Sequence, residues 1–269
     1  MIRNYDDKQE AIRQWNNDPC GRSGAMNIET GTKEFYEAID KSRYDEYAPW
    51  MKSVLEFDQF PGKKVLEVGF GMGTDLFQFA MAGSIVSGID LVPRHLEIAT
   101  KRFSLYRMNA DLRLGDAENI PFHDAVFDLV YSFGVIHHTP DAQKAVNELY
   151  RVLKPGGKAI IGVYHKFSAF YLFSVLLTFY ILGFRFLSES YRRTLSRIEY
   201  REHSDACPLV KLYSHGDLKN LLNKFNDVQI QCVHINRSHF GILKSVISNK
   251  FVQKHERKLG WYLIAKCTK

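Results

Sequence analysis

Val65-Leu-Glu-Val-Gly-Phe-Gly-Met-Gly-Thr-Asp75 is the stretch that decides the fold of this 269-residue chain. Val65, Leu66 and Val68 form a short apolar run of the kind that a buried strand needs. Gly69, Gly71 and Gly73 follow at alternate positions, and Thr74–Ala82 then reads as a helix. Glycine admits positive φ and lets a ligand approach the main chain, while a helix start offers unpaired N–H groups. Strand, glycine loop and helix in that order make a nucleotide site. The spacing narrows the ligand. A dinucleotide fingerprint is G-x-G-x-x-G, whereas here the pattern is E-x-G-x-G-x-G with Thr74 at the third glycine's place. The G-K-[ST] of a phosphate loop is absent. Alternate glycines behind an acid suit a ligand with an amino-acid moiety and a ribose rather than a pyrophosphate.

Working outward, strand and helix patterns alternate from residue 63, which implies a parallel sheet covered on both faces. Strands read at Lys64–Val68, Ser84–Ile89, Leu112–Leu114, Val126–Ser132 and Lys158–Tyr164. Helices read at Thr74–Ala82, Arg94–Phe103 and Ala142–Leu153, the last with Thr139 as its expected cap, Pro140 in its first turn and Lys154-Pro-Gly-Gly157 as its stop. The second strand ends in Gly88-Ile-Asp90, 21 residues after Gly69, where a carboxylate can accept two ribose hydroxyls. Leu91 would then flank the base. The third strand ends in Gly115-Asp116-Ala117, and the fourth runs into Ser132-Phe-Gly-Val-Ile-His-His-Thr-Pro-Asp141 at the carboxyl edge of the sheet.

These segments, in this order over residues 64–164, resemble the class I S-adenosylmethionine (SAM) dependent methyltransferases, most closely the branch of quinone and small-metabolite enzymes. The resemblance implies an α/β, Rossmann-like, seven-stranded and mostly parallel sheet with helices on both faces. It implies SAM as cofactor. Glu67 and the loop Gly69, Phe70, Gly71 and Gly73 would hold its methionine end, Asp90 and Leu91 its ribose and adenine, and Asp116 and Ala117 the adenine. Ser132 and Phe133 would run beside the methionine moiety.

One domain fits the whole length, 1–269. Its parts are a helical lid (1–60), the SAM-binding core (61–166), an apolar helical cap inserted after the fifth strand (167–210), and a final helix with antiparallel strands (211–269). In the lid, Arg3–Trp15, Lys33–Tyr47 and Trp50–Phe57 read as helical, and Asp18-Pro-Cys-Gly21 as a turn. Tyr36, Arg43 and Tyr44 are lid candidates for closing over SAM and substrate. Phe167–Phe184 is 18 residues without a charge, long enough to weigh as a membrane span. A single crossing would put the two parts of one sheet on opposite sides of a bilayer, so a buried cap, a pocket wall or a membrane-surface contact through 167–187 is expected instead. On a regular α-helix, Tyr171, Ser174 and Thr178 would share a face. Ser214 is the expected cap of a helix Ser214–Phe225, and Asn236–Lys258 is basic and poorly patterned.

Methyl transfer is an in-line displacement, so the main demands are alignment and exclusion of water. A base is needed only when the nucleophile carries a proton. His137 and His165 are the candidate catalytic bases, and His138 and Tyr164 are candidate acceptor-pocket residues. No metal is expected: His137-His138 and His203-x-x-x-Cys207 are poor chelates. The four cysteines show no C-x-x-C pairing and suit a reducing compartment. Met1–Glu10 is polar and reads as no secretory leader. A cytoplasmic enzyme is expected, with membrane association left open, acting on a small-molecule acceptor for which an apolar or lipid-like body is left open. Two other readings stay open: a SAM-binding regulatory or non-methylating protein, and an RNA methyltransferase. The net charge of +6 permits the latter, but the Asn/Asp-Pro-Pro-Tyr motif common among amino-methylating nucleic-acid enzymes is missing after the fourth strand. DNA is not an expected partner.

Overall fold

The computed structural model describes residues 6–199 and 205–269. The His203 part of the His203/Cys207 pair therefore lies outside the described residues. Seven strands form a single sheet: β1 (Lys64–Val68), β2 (Ile85–Asp90), β3 (Asp111–Leu114), β4 (Phe127–Phe133), β5 (Leu153–Tyr164), β6 (Asn226–Val233) and β7 (Tyr262–Thr268). Their order is β3-β2-β1-β4-β5-β7-β6. The first five pair in parallel, and β7 runs antiparallel between β5 and β6. Chain order reverses direction across the sheet between β1 and β4, which opens a crevice at the carboxyl ends of those strands.

The alternation in β1 divides the core. Val65 packs with Phe79, Leu129, Tyr131 and Ile160 on one face. Leu66 and Val68 pack with Val130, Ala145, Val146 and Leu149 on the other. Helices α1 (Asp7–Asn17), α2 (Lys33–Lys41) and α3 (Met51–Val54) precede the sheet. Helices α4 (Thr74–Met81), α5 (Pro93–Leu105) and α6 (Ala142–Val152) connect its parallel strands. Asp141, not Thr139, caps α6: its carboxylate accepts from Lys144 N at 2.9 Å, while the Thr139 hydroxyl donates to Ile136 O. The more acidic acceptor sits one residue before the helix, and Pro140 lies outside it.

Beyond β5 the chain forms a π-helix (Phe170–Leu182), then α7 (Tyr191–Ser196), α8 (His215–Leu221) and α9 (Asn249–Leu259). Ser214 caps α8 as expected, in a reciprocal box with Asp217. The π-helical winding separates Tyr171 from Ser174 and Thr178. Tyr171 meets the Tyr191 hydroxyl, whereas Ser174 donates to the Ser238 and His239 carbonyls. The Thr178 hydroxyl donates to Phe173 O and accepts from Ile242 N. The segment that lacked a sequence pattern thus becomes a 3-10 stretch (Arg237–Ser245) and α9, and the former packs along the π-helix through Phe173 and Phe240. Among the described residues no helix is long and apolar enough to cross a membrane.

Candidate functional site

A cavity of about 390 Å³ opens at the switch point. Its floor is the loop after β1. Gly69 holds φ at +81°, and a Cβ there would come within 2.1 Å of Val135 Cγ2. Gly71 holds φ at +54° with open space on its Cβ side, so the floor is bare main chain. Asp90 ends β2 and is buried. Its two oxygens accept from Gly71 N at 2.8 Å and Val92 N at 2.9 Å, with His95 Nδ1 3.0 Å away. The carboxylate therefore ties the glycine loop to the start of α5 as well as facing the cavity.

Glu67 lies on the cavity wall beneath the loop, and its Oε2 has no hydrogen-bond partner among the described residues. Burial and the neighbouring Asp75 push its carboxyl well above the usual range, with Arg43 opposing. Leu91, Asp116, Ala117, Phe70 and Phe133 also line the cavity. Gly73 and Ser132 do not: Gly73 starts α4 in the left-handed region, and Ser132 donates to Val68 O across the sheet.

Side chains from separate elements close the cavity. From α1, Lys8, Ala11 and Trp15 face it, and Lys8 Nζ reaches Asp116 at 2.6 Å and Glu118 at 2.8 Å. The π-helix Ser42–Tyr47 supplies Arg43 and Tyr47. Arg43 grips Asp75 in two bonds of 2.7 and 2.6 Å, and the Tyr44 and Tyr131 hydroxyls donate to the same carboxylate at 2.6 Å each. Although burial opposes ionisation, Arg43 and these hydroxyls hold Asp75 below the ordinary carboxylate range. Arg43 also lies 5.4 Å from the centre of the Phe133 ring. Tyr44 thus braces the lid without lining the cavity. Tyr36 is likewise structural, its hydroxyl donating to Ile98 O at 2.7 Å in a buried cluster.

The far end of the cavity is aromatic and carries one acid. Trp15, Tyr47, Phe133, Tyr164 and Tyr262 line it together with His138 and Glu199. His138 Nδ1 meets Leu209 O at 2.6 Å, leaving Nε2 toward Glu199 Oε2 at 3.6 Å. Tyr164 donates to Glu199 at 3.4 Å. Burial raises the Glu199 carboxyl to about 7, the Tyr164 hydroxyl opposing, and lowers His138 to about 4 against the pull of the Leu209 carbonyl.

Neither of the two histidines expected as bases lines the cavity, although a His137 ring nitrogen lies within 4.8 Å of a Glu199 carboxylate oxygen and of a His138 nitrogen. His137 is fully buried behind the cavity wall, 3.8 Å from the Tyr164 ring centre, with neither nitrogen hydrogen-bonded among the described residues. Burial, then His138, lowers it well below 6.5. His165 is buried against Gly260 O at 3.1 Å and the Cys232 thiol. Neither faces the cavity, because both follow strand ends whose backbones turn them back into the core. Glu199, Trp15 and Lys8 escaped the sequence reading. The spacing of Lys8, Ala11 and Trp15 on one helical face was an available signal; nothing in the sequence around Glu199 gives one.

The methyltransferase domain family profile matches residues 66–161, the span that builds the cavity floor. Residues 66–161 thus carry a methyltransferase domain. S-adenosylmethionine is the cofactor of this family, and the bare glycine floor with the unpartnered Glu67 Oε2 fits its amino-acid moiety. The domain is 37% identical over 131 residues to phosphoethanolamine N-methyltransferase 2 of Caenorhabditis elegans, covering 48% of this chain and 29% of that protein. It is 36% identical over 125 residues to a ubiquinone biosynthesis O-methyltransferase of an Azoarcus species, covering 45% and 53%. The chain thus spans about a third to a half of the curated relatives it matches. In fold, it aligns with an S-adenosylmethionine dependent methyltransferase from Mesorhizobium loti at a TM-score of 0.58 and 18% identity, covering 84% of this chain and 99% of the other. It also aligns with the [4+2]-cyclase SpnF at 0.59 and 16%, covering 98% and 96%.

Proposed function

We propose that the chain transfers a methyl group from SAM to a small-molecule acceptor held at the aromatic end of the cavity. The observation that carries this is the division of one cavity into a backbone-built, acid-rimmed floor and an aromatic far wall. Bound SAM supplies an electrophilic methyl on a sulfonium. Glu67 and the Gly69–Gly71 main chain would receive the amino-acid moiety, Asp90 the ribose, and Asp116 with Ala117 the adenine. Lys8, bridging to Asp116, would close α1 over that end. Phe133 would lie between the two halves, and Arg43, held by Asp75, would fix the lid so that water is excluded during transfer.

The curated relatives named for quinone and phosphoethanolamine methylation support a small-molecule acceptor. The test is incubation of the pure chain with labelled SAM and fractionated small-molecule and lipid extracts. Formation of S-adenosylhomocysteine with a labelled product supports the reading. Tight binding of SAM without turnover in any fraction would point instead to a non-methylating binder.

One observation favours association with a lipid surface. Phe184, Phe186 and Leu187 project at the tip of the insertion, with exposures of 64%, 48% and 76%, beside Arg185. Apolar side chains flanked by a base suit the interface of an anionic bilayer, and an acceptor with an apolar body would be reached there.

A further inference from the structure

We propose that Glu199 is the proton acceptor of the transfer step, and that the acceptor molecule presents a hydroxyl or amino group on a ring-sized apolar body. This rests on the methyl-transfer reading above. Three features of the cavity converge on it.

The first is position. Glu199 ends the 3-10 turn Arg197–Glu199, on the wall that also holds Tyr47, Tyr164 and Tyr262. Its Oε2 is held by Tyr164, while its Oε1 is buried without a partner among the described residues. The second is the lack of a neutralising cation among the described residues. Lys8 is taken by Asp116 and Glu118, and Arg43 by Asp75. Arg197, two residues before Glu199 in the chain, pairs with Glu189. A buried carboxylate with a free oxygen and no cation is costly unless a ligand brings a proton to it. The third is the surroundings. The five aromatic walls offer flat apolar faces to the body of a ligand, with the Glu199 carboxyl between them, while Asp18, which also lines the cavity, is exposed.

In the step, Glu199 takes the proton from the acceptor's O–H or N–H. The electron pair left on a hydroxyl oxygen by that transfer forms the bond to the methyl carbon; an amine attacks with the lone pair it already carries and gives its proton to Glu199 as the C–N bond forms. The carbon–sulfur bond breaks with its electron pair on sulfur, leaving a neutral thioether. One negative and one positive charge disappear together, which a dry cavity favours.

Among the groups facing Glu199, His138 is lowered to about 4 by burial, against the Leu209 carbonyl. Burial raises Tyr164 from β5 and Tyr262 from β7; Tyr47 of the π-helix and Cys20 of the 18–21 turn remain solvent-accessible and are raised by the protein atoms crowded around them. Gln14 of α1 donates to the Glu199 carbonyl at 3.4 Å, not to its carboxylate. Near pH 7 all these are neutral, so Glu199 alone changes charge there.

The test uses the full chain loaded with S-adenosylhomocysteine, and reads protection of Cys20 from alkylation. Cys20 lines the cavity and is exposed, while Cys207, Cys232 and Cys267 are buried. The probes are 4-methylphenol, benzylamine and 4-methylanisole, the last having no proton to give. At pH 8, 4-methylphenol or benzylamine should protect Cys20 at a concentration at least about tenfold lower than 4-methylanisole, the ratio that one hydrogen bond to a charged group supplies. Which of the two does so separates hydroxyl from amino acceptors. In Glu199→Gln the preference should vanish while calorimetric affinity for S-adenosylhomocysteine stays within about twofold; in Tyr164→Phe it should shrink. Equal protection by all three probes, no protection by any, or stoichiometric uptake of zinc that depends on Glu199 overturns the proposal. Failure of the wild-type chain to bind S-adenosylhomocysteine overturns the methyl-transfer reading instead.

Discussion

The two ends of the cavity are built in different ways. The end proposed for the cofactor consists of main-chain atoms from consecutive residues, Gly69 to Gly71, with acids at the ends of neighbouring parallel strands. The end proposed for the acceptor consists of side chains from α1, the π-helix Ser42–Tyr47, β5, β7 and the turn before residue 200, which no short stretch contains. The first is rigid because the sheet fixes it. The second is only as firm as the contacts that pin the lid.

The sharpest way to break this contrast is to unpin the lid. Arg43→Ala leaves Asp75 buried without its cation, and should lower stability by about 3–5 kcal/mol in urea unfolding, the usual cost of breaking a buried pair. A loss under about 1 kcal/mol would show that the Tyr44 and Tyr131 hydroxyls suffice. Next, Gly69→Ala strikes the rigid end: positive φ and the clash with Val135 Cγ2 should cost about 1–3 kcal/mol. Adding Val135→Ala should recover only the steric part, and full recovery would mean that the left-handed backbone carries no strain. Asp90→Ala should weaken SAM binding by about 1–3 kcal/mol by calorimetry. Unchanged affinity would reduce Asp90 to its role of joining Gly71 to α5.

A smaller effect concerns acid. Burial lowers His138, His165 and His234 to about 4 and His239 to about 3, from 6.5. Between those values the unfolded chain binds more protons than the folded one, so stability rises with pH there and is lost as pH falls from 6.5 toward 4. Glu199, raised from 4.5 to about 7, and Glu67 and Asp40, also raised by burial, act in the opposite sense but are outnumbered by the histidines. Thermal melts at pH 7 and pH 4.5 should show the lower Tm at pH 4.5; a higher one would mean that the buried carboxyls dominate. The smallest effect is at the surface. Leu187→Ser should change stability by under about 0.5 kcal/mol yet reduce flotation with anionic vesicles, and undiminished flotation would remove the insertion tip from the membrane reading.

The order of the parallel strands, the glycine floor, Asp90 and Asp116 were legible because each depends on neighbours in sequence. Ser214 as a cap was legible for the same reason. Thr139 misled because two acceptable caps stood two residues apart, and the backbone entered the helix at the second. Tyr171, Ser174 and Thr178 misled because the expected winding was 3.6 residues per turn, and packing against Arg237–Ser245 accompanies a wider one. For His137 and His165 the strand ends gave proximity to the cavity but not side-chain direction, and neither lines it.

By itself, the sequence determined the parallel core and the glycine-floored end of the cavity, since strand alternation, turn glycines and strand-terminal acids are local chemistry repeated at short spacing. Only the tertiary structure decided the aromatic end, bringing Lys8, Trp15, Arg43, Tyr164, Glu199 and Tyr262 to one cavity. Contacts between residues far apart in the chain are set by how helices pack on the finished sheet, and no local pattern encodes that.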